Sequence, residues 1–385
     1  MRIAYVYDVI HPYVSGGVQK RIWELSRRLV TSGHEVTLFG MKHWEGEDAI
    51  YSEGVRLWGV CPPRDLFGNG RRSIGEALYF ARKVLPALQR EQFDIIDCQN
   101  FPYFPCFSAK VASVSKHSPL LITWHEVWGK HWNEYLGAKG FFGKIVERLV
   151  GRLSKVNLTG TKHNMRGLIS LGIPESRIKL ISIGGISLNH IQGIQPASER
   201  YDIVFAGRLV DSKGPETLVR AMHCLKKSGF NATAVIIGDG PEREKVEALS
   251  REFSIQDAIR FLGRIEDDDE VISVVKSAKL FVYPACPEGG WSISIIEANA
   301  CGIPAVSVRT GPVGTNEVVI DGYNGLLVEQ ESAEAIAEKI KIILESEQLR
   351  AELGRNALAF AREQDWDYLA DKMADCYSQV ALQAS

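Results

Sequence analysis

Ile203-Val204-Phe205-Ala206-Gly207-Arg208-Leu209-Val210-Asp211-Ser212-Lys213-Gly214-Pro215 carries the reading of the fold. Ile203–Ala206 is a short apolar run of the kind that forms a strand buried on both faces. Gly207 and Gly214 bracket a polar loop, and Pro215 is a favoured first helical residue. Leu218, Ala221, Met222 and Leu225 then recur at helical spacing, which predicts a helix over Pro215–Ser228. The start of the chain repeats this order. Met1–Tyr7 reads as a strand, Ser15-Gly16-Gly17 as a turn and Val18–Ser32 as a helix.

Further apolar runs fill both halves. Val36–Phe39, Val55–Val60, Ile95–Cys98, Leu120–Trp124, Val156–Thr159 and Ile178–Ile183 belong to the first. Ala234–Ile237, Ile259–Leu262, Leu280–Tyr283, Ala305–Val308 and Gly325–Val328 belong to the second. Helical patterns such as Glu242–Glu252 and Ala333–Glu345 lie between them. Strand alternating with helix predicts an α/β fold with parallel sheets covered on both faces. Two first strands, each followed by a Gly-bearing turn, predict two Rossmann-like domains in series, over 1–190 and 200–360. The polar, aperiodic stretch Asn189–Arg200 reads as the linker. Ligands of open α/β sheets bind beyond the carboxyl ends of the strands, so the expected site is a cleft where the two sets of strand ends face each other.

The 385 residues are 45% hydrophobic and 24% charged, an ordinary globular balance in which each half can bury a core. No run approaches the roughly 20 apolar residues of a membrane span, and Met1–Asp8 lacks the pattern of a signal peptide. A cytoplasmic location, extending to the inner face of the plasma membrane, is the expectation. The seven cysteines are scattered without a C-x-x-C pair, which predicts reduced, mostly buried thiols rather than disulfides or zinc ligands. Net charge is −2 but uneven: residues 1–198 carry 25 Lys+Arg against 16 Asp+Glu, and the remainder 20 against 31. Two readings stay open. The basic half suits an anionic acceptor or an anionic membrane surface, or two oppositely charged domains attract each other.

Arg208 and Lys213 sit on a loop at a strand's carboxyl end, ahead of a helix N-terminus. Two fixed cations there can bracket a diphosphate and stabilise the charge that develops on a departing phosphate without a metal. Pro287-Glu288-Gly289-Gly290-Trp291-Ser292-Ile293-Ser294-Ile295-Ile296-Glu297-Ala298 follows the strand Leu280–Tyr283. Its glycines let backbone approach a ligand and leave N–H groups free, and the helix expected from about Ser292 directs its N-terminus at the cleft. Glu297, in an apolar stretch, needs donors, which sugar hydroxyls or protein groups can supply. His125 ends the strand Leu120–Trp124 and reads as a sugar or acceptor ligand or as a structural histidine.

Taken together, G-R-L-x4-K-G and E-G-G-W-S-I-S-I-I-E-A-N-A-C-G-I-P resemble the signatures of the retaining glycosyltransferase family 4, whose fold is called GT-B. The resemblance extends over most of the chain. It includes Gly16-Gly17, Thr123-Trp124-His125-Glu126, Val235–Pro241 with Gly240, Phe261–Arg264, and a tail around Trp366-Asp367 that resembles the family's last helix, crossing back at about 366–385 onto the first domain. It implies two Rossmann-like domains facing across a cleft. It implies a hexosyltransferase, independent of metal and of any cofactor, that moves a sugar from a UDP- or GDP-linked donor to a glycan, lipid-linked or small-molecule acceptor with retained configuration. By the resemblance Arg208 and Lys213 hold the donor diphosphate, Glu297 binds ribose, and the loop Gly289, Gly290, Trp291, Ser292 and Ile293 gives amides to the donor. Gly17 and Gly240 lie near the donor, Arg264 and Ile265 near the base, and His125 near the reacting sugar.

Two departures stand out. Eight residues, not the family's usual seven, separate Glu288 from Glu297, which puts the donor-sugar role of Glu288 in question. Ile181–Ser187 lacks the Asn and Asp of the family's Pro-Asn-Gly-Val-Asp, which predicts altered hinge detail. Other patterns weigh against rival chemistries. His125 and His131 are six apart and face apart on a helix, unlike a zinc-protease pair. Gly68-Asn69-Gly70 heads no strand-to-helix turn, and Asp267–Glu270 reads as a helix start rather than a metal site. No nucleic-acid motif is present. Val127–Lys155 interleaves Trp128, Trp132, Tyr135, Phe141 and Phe142 with Lys130, Lys139, Lys144, Arg148 and Arg152. That pattern fits an interfacial membrane contact or an amphipathic helix with a packed aromatic face. An epimerase of the same fold and a non-catalytic nucleotide-sugar-binding regulator remain as alternatives.

Overall fold

The structure, a computed structural model, describes all residues except 15, 69–70, 130, 312–313 and 384–385. The readings of Ser15, of Asn69-Gly70 and of Lys130 therefore lie outside the described residues. The fold is α/β, and the chain divides into two compact units, Met1–Gly185 with Trp366–Ser385, and Ile186–Asp365.

The first unit is built on eight strands in the spatial order Ile178–Leu180, Val156–Thr159, Leu120–Trp124, Ile95–Gln99, Arg2–Val6, Glu35–Met41, Val55–Cys61 and Ala49–Ser52. Every pairing is parallel except the last, where Ala49–Ser52 runs antiparallel to Val55–Cys61 at the edge. The sequence pattern did not announce that edge strand, because its residues are exposed or half-buried and Tyr51 stands 74% exposed. Ile178–Leu180 is shorter than the expected Ile178–Ile183.

Side chains along each strand alternate between two cores. Ala4, Val6, Ile96, Cys98, Ile122 and Trp124 face one. Ile3, Tyr5, Ile95, Leu121 and Leu158 face the other. The helix Gly17–Thr31 covers part of the second face through Ile22, Trp23, Leu25 and Leu29. The C-terminal helix Trp366–Leu382 completes it with Leu369, Met373, Tyr377 and Val380. A parallel sheet needs both faces covered, and here the last helix of the chain supplies cover that the first 185 residues leave missing. Gly185 is required beside it: a Cβ there would lie 2.5 Å from the Trp366 ring.

The second unit has six parallel strands in the order Ile259–Gly263, Ala234–Ile237, Tyr201–Ala206, Ala278–Tyr283, Ala305–Val308 and Gly325–Val328. All six are the runs read from the sequence. The order reverses between Tyr201–Ala206 and Ala278–Tyr283, which makes the loops after these two strands the switch point where ligands of such sheets bind. The stretch expected as a linker begins as a helix, Leu188–Gly193, whose Leu188 and Ile191 are buried in this unit's core. The change of unit falls earlier, between Gly185 and Ile186. Asp267 caps the helix Asp268–Lys276 by accepting from the Asp269 amide, so the acidic run is a helix start. All seven cysteines are free thiols, including Cys98 and Cys106 with their sulfurs 3.6 Å apart.

Tyr377 ties the C-terminal helix to the sheet. Its hydroxyl lies 2.6 Å from Asp97 Oδ2 and 2.8 Å from the Tyr5 hydroxyl, all fully buried. Tyr377→Phe removes a donor from a buried carboxylate, so it is expected to destabilise the protein by about 1–3 kcal/mol. A urea titration should show the fall in midpoint, whereas Tyr368→Phe, on the exposed side of the same helix, should leave it unchanged.

Candidate functional site

The loops at the carboxyl ends of three strands of the second unit are joined backbone to backbone. The Gly207 amide donates to Ile237 O, the Leu209 amide to Asp239 O at 2.9 Å, and the Glu242 amide to Leu209 O. The Gly238 amide reaches Gly263 O at 2.7 Å. These approaches exclude side chains: a Cβ on Gly238 would fall 1.9 Å from Gly207 O, and one on Gly240 2.3 Å from Leu209 O. Glycines at 238 and 240 thus let the loop 207–214 lie against its neighbours as a fixed platform. Gly240 serves as that packing element, and Arg264 and Ile265 follow directly after Gly263. Arg264 is exposed and paired with Glu266 at 2.9 Å.

Arg208 is exposed on this platform, and among the described residues no ion pair holds it. Lys213 ends a 3-10 turn, Asp211–Lys213, and Gly214 follows in the left-handed region at φ 68° as cap to the helix Pro215–Lys227. Gly214 is also pressed against Pro284, whose carbonyl oxygen a Cβ would meet at 3.0 Å. That contact brings the loop after Tyr201–Ala206 onto the loop after Ala278–Tyr283. Lys213 Nζ lies 5.5 Å from the Tyr283 ring centre and 3.9 Å from Glu288 Oε1. Two residues far apart in sequence therefore meet at the switch point.

Glu288–Gly290 forms a 3-10 turn with Gly289 at φ 60°. The turn leaves the Glu288 carboxylate on the Lys213 side, 60% exposed. Gly290, at φ 81°, is packed so that a Cβ would meet Thr315 O at 2.6 Å. The amides of Gly290 and Trp291 close the turn on Pro287 O and Glu288 O. The helix Ile293–Ala300 follows, and its N-cap Ser292 makes no side-chain cap but lies 3.1 Å from the Ser294 hydroxyl. Glu297 is half-buried in that helix beside Ile295, Ile296 and Ala298. Sequence reasoning passed over two groups here. Tyr283 Oη and Trp291 Nε1 are buried polar atoms without a partner among the described residues. Tyr283 closes an apolar strand and so read as core.

Gly17 and His125 belong to the other unit. Gly17 opens the helix Gly17–Thr31, exposed, with open space where a Cβ would stand. His125 follows Leu120–Trp124 and is fixed at three points. Its amide donates to Asn100 Oδ1, its carbonyl accepts from Asn164 Nδ2 at 2.8 Å, and its Nε2 lies 2.8 Å from Gln99 Oε1. Gln99 Nε2 donates to Asp97 Oδ1 at 3.0 Å, which orients the amide. His125 Nε2 is thereby the donor, and Nδ1 is an acceptor without a partner among the described residues. Burial, with the Arg21 guanidinium adding to it, lowers the imidazole to about 3. The ring is neutral throughout the physiological range.

Behind it stands a buried polar network that the sequence reading missed. Asp97 accepts from Tyr377, Thr123 and Gln99, and burial raises its carboxyl above the usual range. Arg21 is fully buried, with Nη2 against Met373 Sδ. The available signal was the run Asp97, Gln99, Asn100 within an otherwise apolar strand end.

In Val127–Lys155 the aromatics divide. Trp132 is buried and Trp128 stacks on Phe101, whereas Phe141 and Phe142 stand 62% and 68% exposed on the helix Gly140–Leu153. Ile145 and Leu149 are exposed on the same helix, interspersed with Lys144, Arg148 and Arg152. Among the described residues no helix is long and apolar enough to cross a membrane.

Comparison with known proteins agrees with this division. A family model described as glycosyl transferases group 1 matches residues 188–360, and one described as glycosyltransferase family 4 matches 15–184. A glycosyltransferase of Methanocaldococcus jannaschii is 33% identical over 46% of this chain and 48% of its own length. The N,N'-diacetylbacillosaminyl-diphospho-undecaprenol α-1,3-N-acetylgalactosaminyltransferase of Campylobacter jejuni is 26% identical over 63% of this chain and 67% of its own. A GDP-mannose-dependent phosphatidylinositol monomannoside mannosyltransferase of Mycobacterium tuberculosis is 30% identical over 46% of this chain and 47% of its own. The chain thus spans about half the length of several relatives that it matches. Among solved structures, Anabaena HepE with UDP superposes at TM-score 0.72 and 18% identity, over 98% of this chain and 100% of that one. Sucrose-phosphate synthase of Thermosynechococcus elongatus superposes at 0.71 and 21%, over all of both chains. These likenesses identify the fold as GT-B.

The neutral His125 has a measurable consequence. Its folded-state value of about 3 lies below the ordinary 6.5, so the unfolded chain takes the proton first as pH falls. This group withdraws stability progressively from about pH 6.5 down to about pH 3 and is silent above that window. His125→Gln is expected to abolish this loss. Between pH 7 and pH 5 the stability of wild type relative to the variant should fall by on the order of 2 kcal/mol, read by urea titration at the two pH values.

Proposed function

The chain belongs to the group 1 glycosyltransferases of family 4, and from that premise we propose that it moves a hexose from a UDP- or GDP-linked donor to a lipid-linked or glycan acceptor with retention of configuration. The observation that carries the reading is the meeting of Lys213 and Glu288 at the switch point of the second sheet, beside Arg208, which no ion pair holds among the described residues. Leaving-group departure places negative charge on the donor's terminal phosphate. Arg208 and Lys213, held on a glycine-pinned platform, answer that charge with little reorganisation, and the first-turn amides of Ile293–Ala300 add to it. In this reading no metal ion takes part. Glu288 contacts the sugar, Glu297 the ribose, Arg264 and Ile265 the base. The neutral His125 offers Nδ1 as acceptor to a sugar hydroxyl.

The acceptor side is assigned to the first unit. It carries 26 Lys+Arg against 19 Asp+Glu, whereas the second carries 19 against 28. The exposed apolar and basic residues of Gly140–Leu153 support contact with an anionic membrane surface, where lipid-linked acceptors reside. The lipid-linked and phosphatidylinositol acceptors in the names of two relatives support the same class. This reading places the protein at the inner face of the plasma membrane.

Arg208→Ala and Lys213→Ala are each expected to lower turnover by about 10²–10³. The measurement is binding and slow hydrolysis across a panel of UDP- and GDP-sugars with EDTA present. One donor should bind and turn over regardless of EDTA, and unchanged affinity and rate in both variants would refute the assignment. Binding without any turnover would favour a regulator.

A further inference from the structure

A cavity of about 290 Å³ lies within the first unit, apart from the residues assigned above to the donor. Phe101, Tyr103, Trp132 and Tyr135 form its aromatic wall, and Phe142 and Val146 bring the helix Gly140–Leu153 to it. Its volume falls just below the roughly 300–1,000 Å³ typical of ligand sites. A sugar nucleotide also needs several convergent polar groups, and this lining is overwhelmingly apolar. A hydrocarbon chain needs only apolar walls.

Three features specify what such a chain is attached to. Arg72, on the lining, is already neutralised: its guanidinium pairs with the buried Asp8 and lies 3.4 Å from Glu76. Lys139, also on the lining, is exposed and has no ion pair among the described residues, so it is the cation left for an anionic head group. Trp132, itself only 6% exposed, carries an indole N–H buried without a partner among the described residues. That donor suits the ester or ether oxygen that joins a chain to its head group. Continuity supplies the route, because the lining residue Phe142 is also one of the exposed apolar residues of the basic helix.

We propose that this cavity holds the hydrocarbon segment next to the head group of an anionic lipid, the lipid that serves as acceptor. The proposal deepens the reading of the first unit as the acceptor side and rests on it. Chain selection then falls to Tyr103, Trp132 and Val146, and head-group charge to Lys139.

The test uses the full chain and monomeric alkyl phosphates from butyl to dodecyl, below their micelle concentrations, titrated by calorimetry without donor. Each added methylene should tighten binding about fourfold until the cavity is full, after which the gain stops. Inorganic phosphate gives the baseline of a free anion. Ile74→Trp, at a lining position 57% exposed, and Val146→Phe should each weaken decyl phosphate tenfold or more and leave butyl phosphate nearly unchanged. Lys139→Ala should weaken all members alike. An unchanged thermal midpoint confirms folding, and Ile74→Trp, being at the surface, keeps the test valid if Val146→Phe does not fold. Three results overturn the proposal: affinity independent of chain length, or undiminished in both filled variants; binding only to phosphatidylglycerol vesicles and not to monomeric chains; or a concentration-dependent dimer that the same substitutions abolish, which would make the occupant a second copy. The alkyl series contains no donor, so its failure is distinguishable from a failure of the transferase reading, which shows as absent donor binding.

Discussion

Parallel strands have their hydrogen-bonding edges filled by neighbours and both faces buried under helices, so the only backbone free to meet a ligand is at the strand ends. That constraint organises both units. Arg208, Lys213, Glu288 and the first turn of Ile293–Ala300 all follow the carboxyl ends of strands in one sheet, and His125 follows one in the other. The loops there are not loose. In the second unit, main-chain hydrogen bonds link 207–209 to 237–242 and Gly238 to Gly263, and the absence of side chains at 238 and 240 allows it. Two long, cationic side chains gain a rigid base in this way. Their own flexibility remains, but the positions from which they reach are fixed.

The same need for cover explains the path of the chain. The first sheet lacks enough helix within residues 1–185 to close the face formed by Ile3, Tyr5, Ile95 and Leu121, and Trp366–Leu382 returns to close it. The return brings Tyr377 to Asp97, a carboxylate that would be costly to bury without donors, and sets Met373 Sδ against Arg21 Nη2. Asp97 orients Gln99, Gln99 orients His125, and the nearby Arg21 charge joins burial in keeping the ring neutral. The hydrogen-bonded chain from Tyr377 through Asp97 and Gln99 to His125 joins residues about 250 positions apart, with no sequence-local trace.

Much of the fold was legible because it rests on local patterns. Tyr201–Ala206, Gly214-Pro215 and the periodic Leu218, Ala221, Met222 and Leu225 announce strand, cap and helix by composition alone. The exceptions share a cause. Ala49–Ser52 forms at a solvent-facing edge where no burial pattern is imposed, and Leu188–Gly193 is a short helix stabilised by packing of Leu188 and Ile191 rather than by its own sequence. The aromatics of Val127–Lys155 read alike on paper. Only packing separates Trp132, in the wall of a cavity, from Phe141, which faces solvent.

What the sequence determined by itself is the alternation of elements, the two-unit plan and the positions of the glycines and cations at strand ends, since each follows from hydrophobic periodicity or from a residue's own backbone preference. What only the tertiary structure decided is proximity: Lys213 beside Glu288 on its 3-10 turn, Tyr377 on Asp97, and the apolar cavity behind Phe142. Periodicity reports which face a side chain takes. Which distant side chain it meets there depends on strand order and on close packing, and neither is encoded within a window of neighbouring residues.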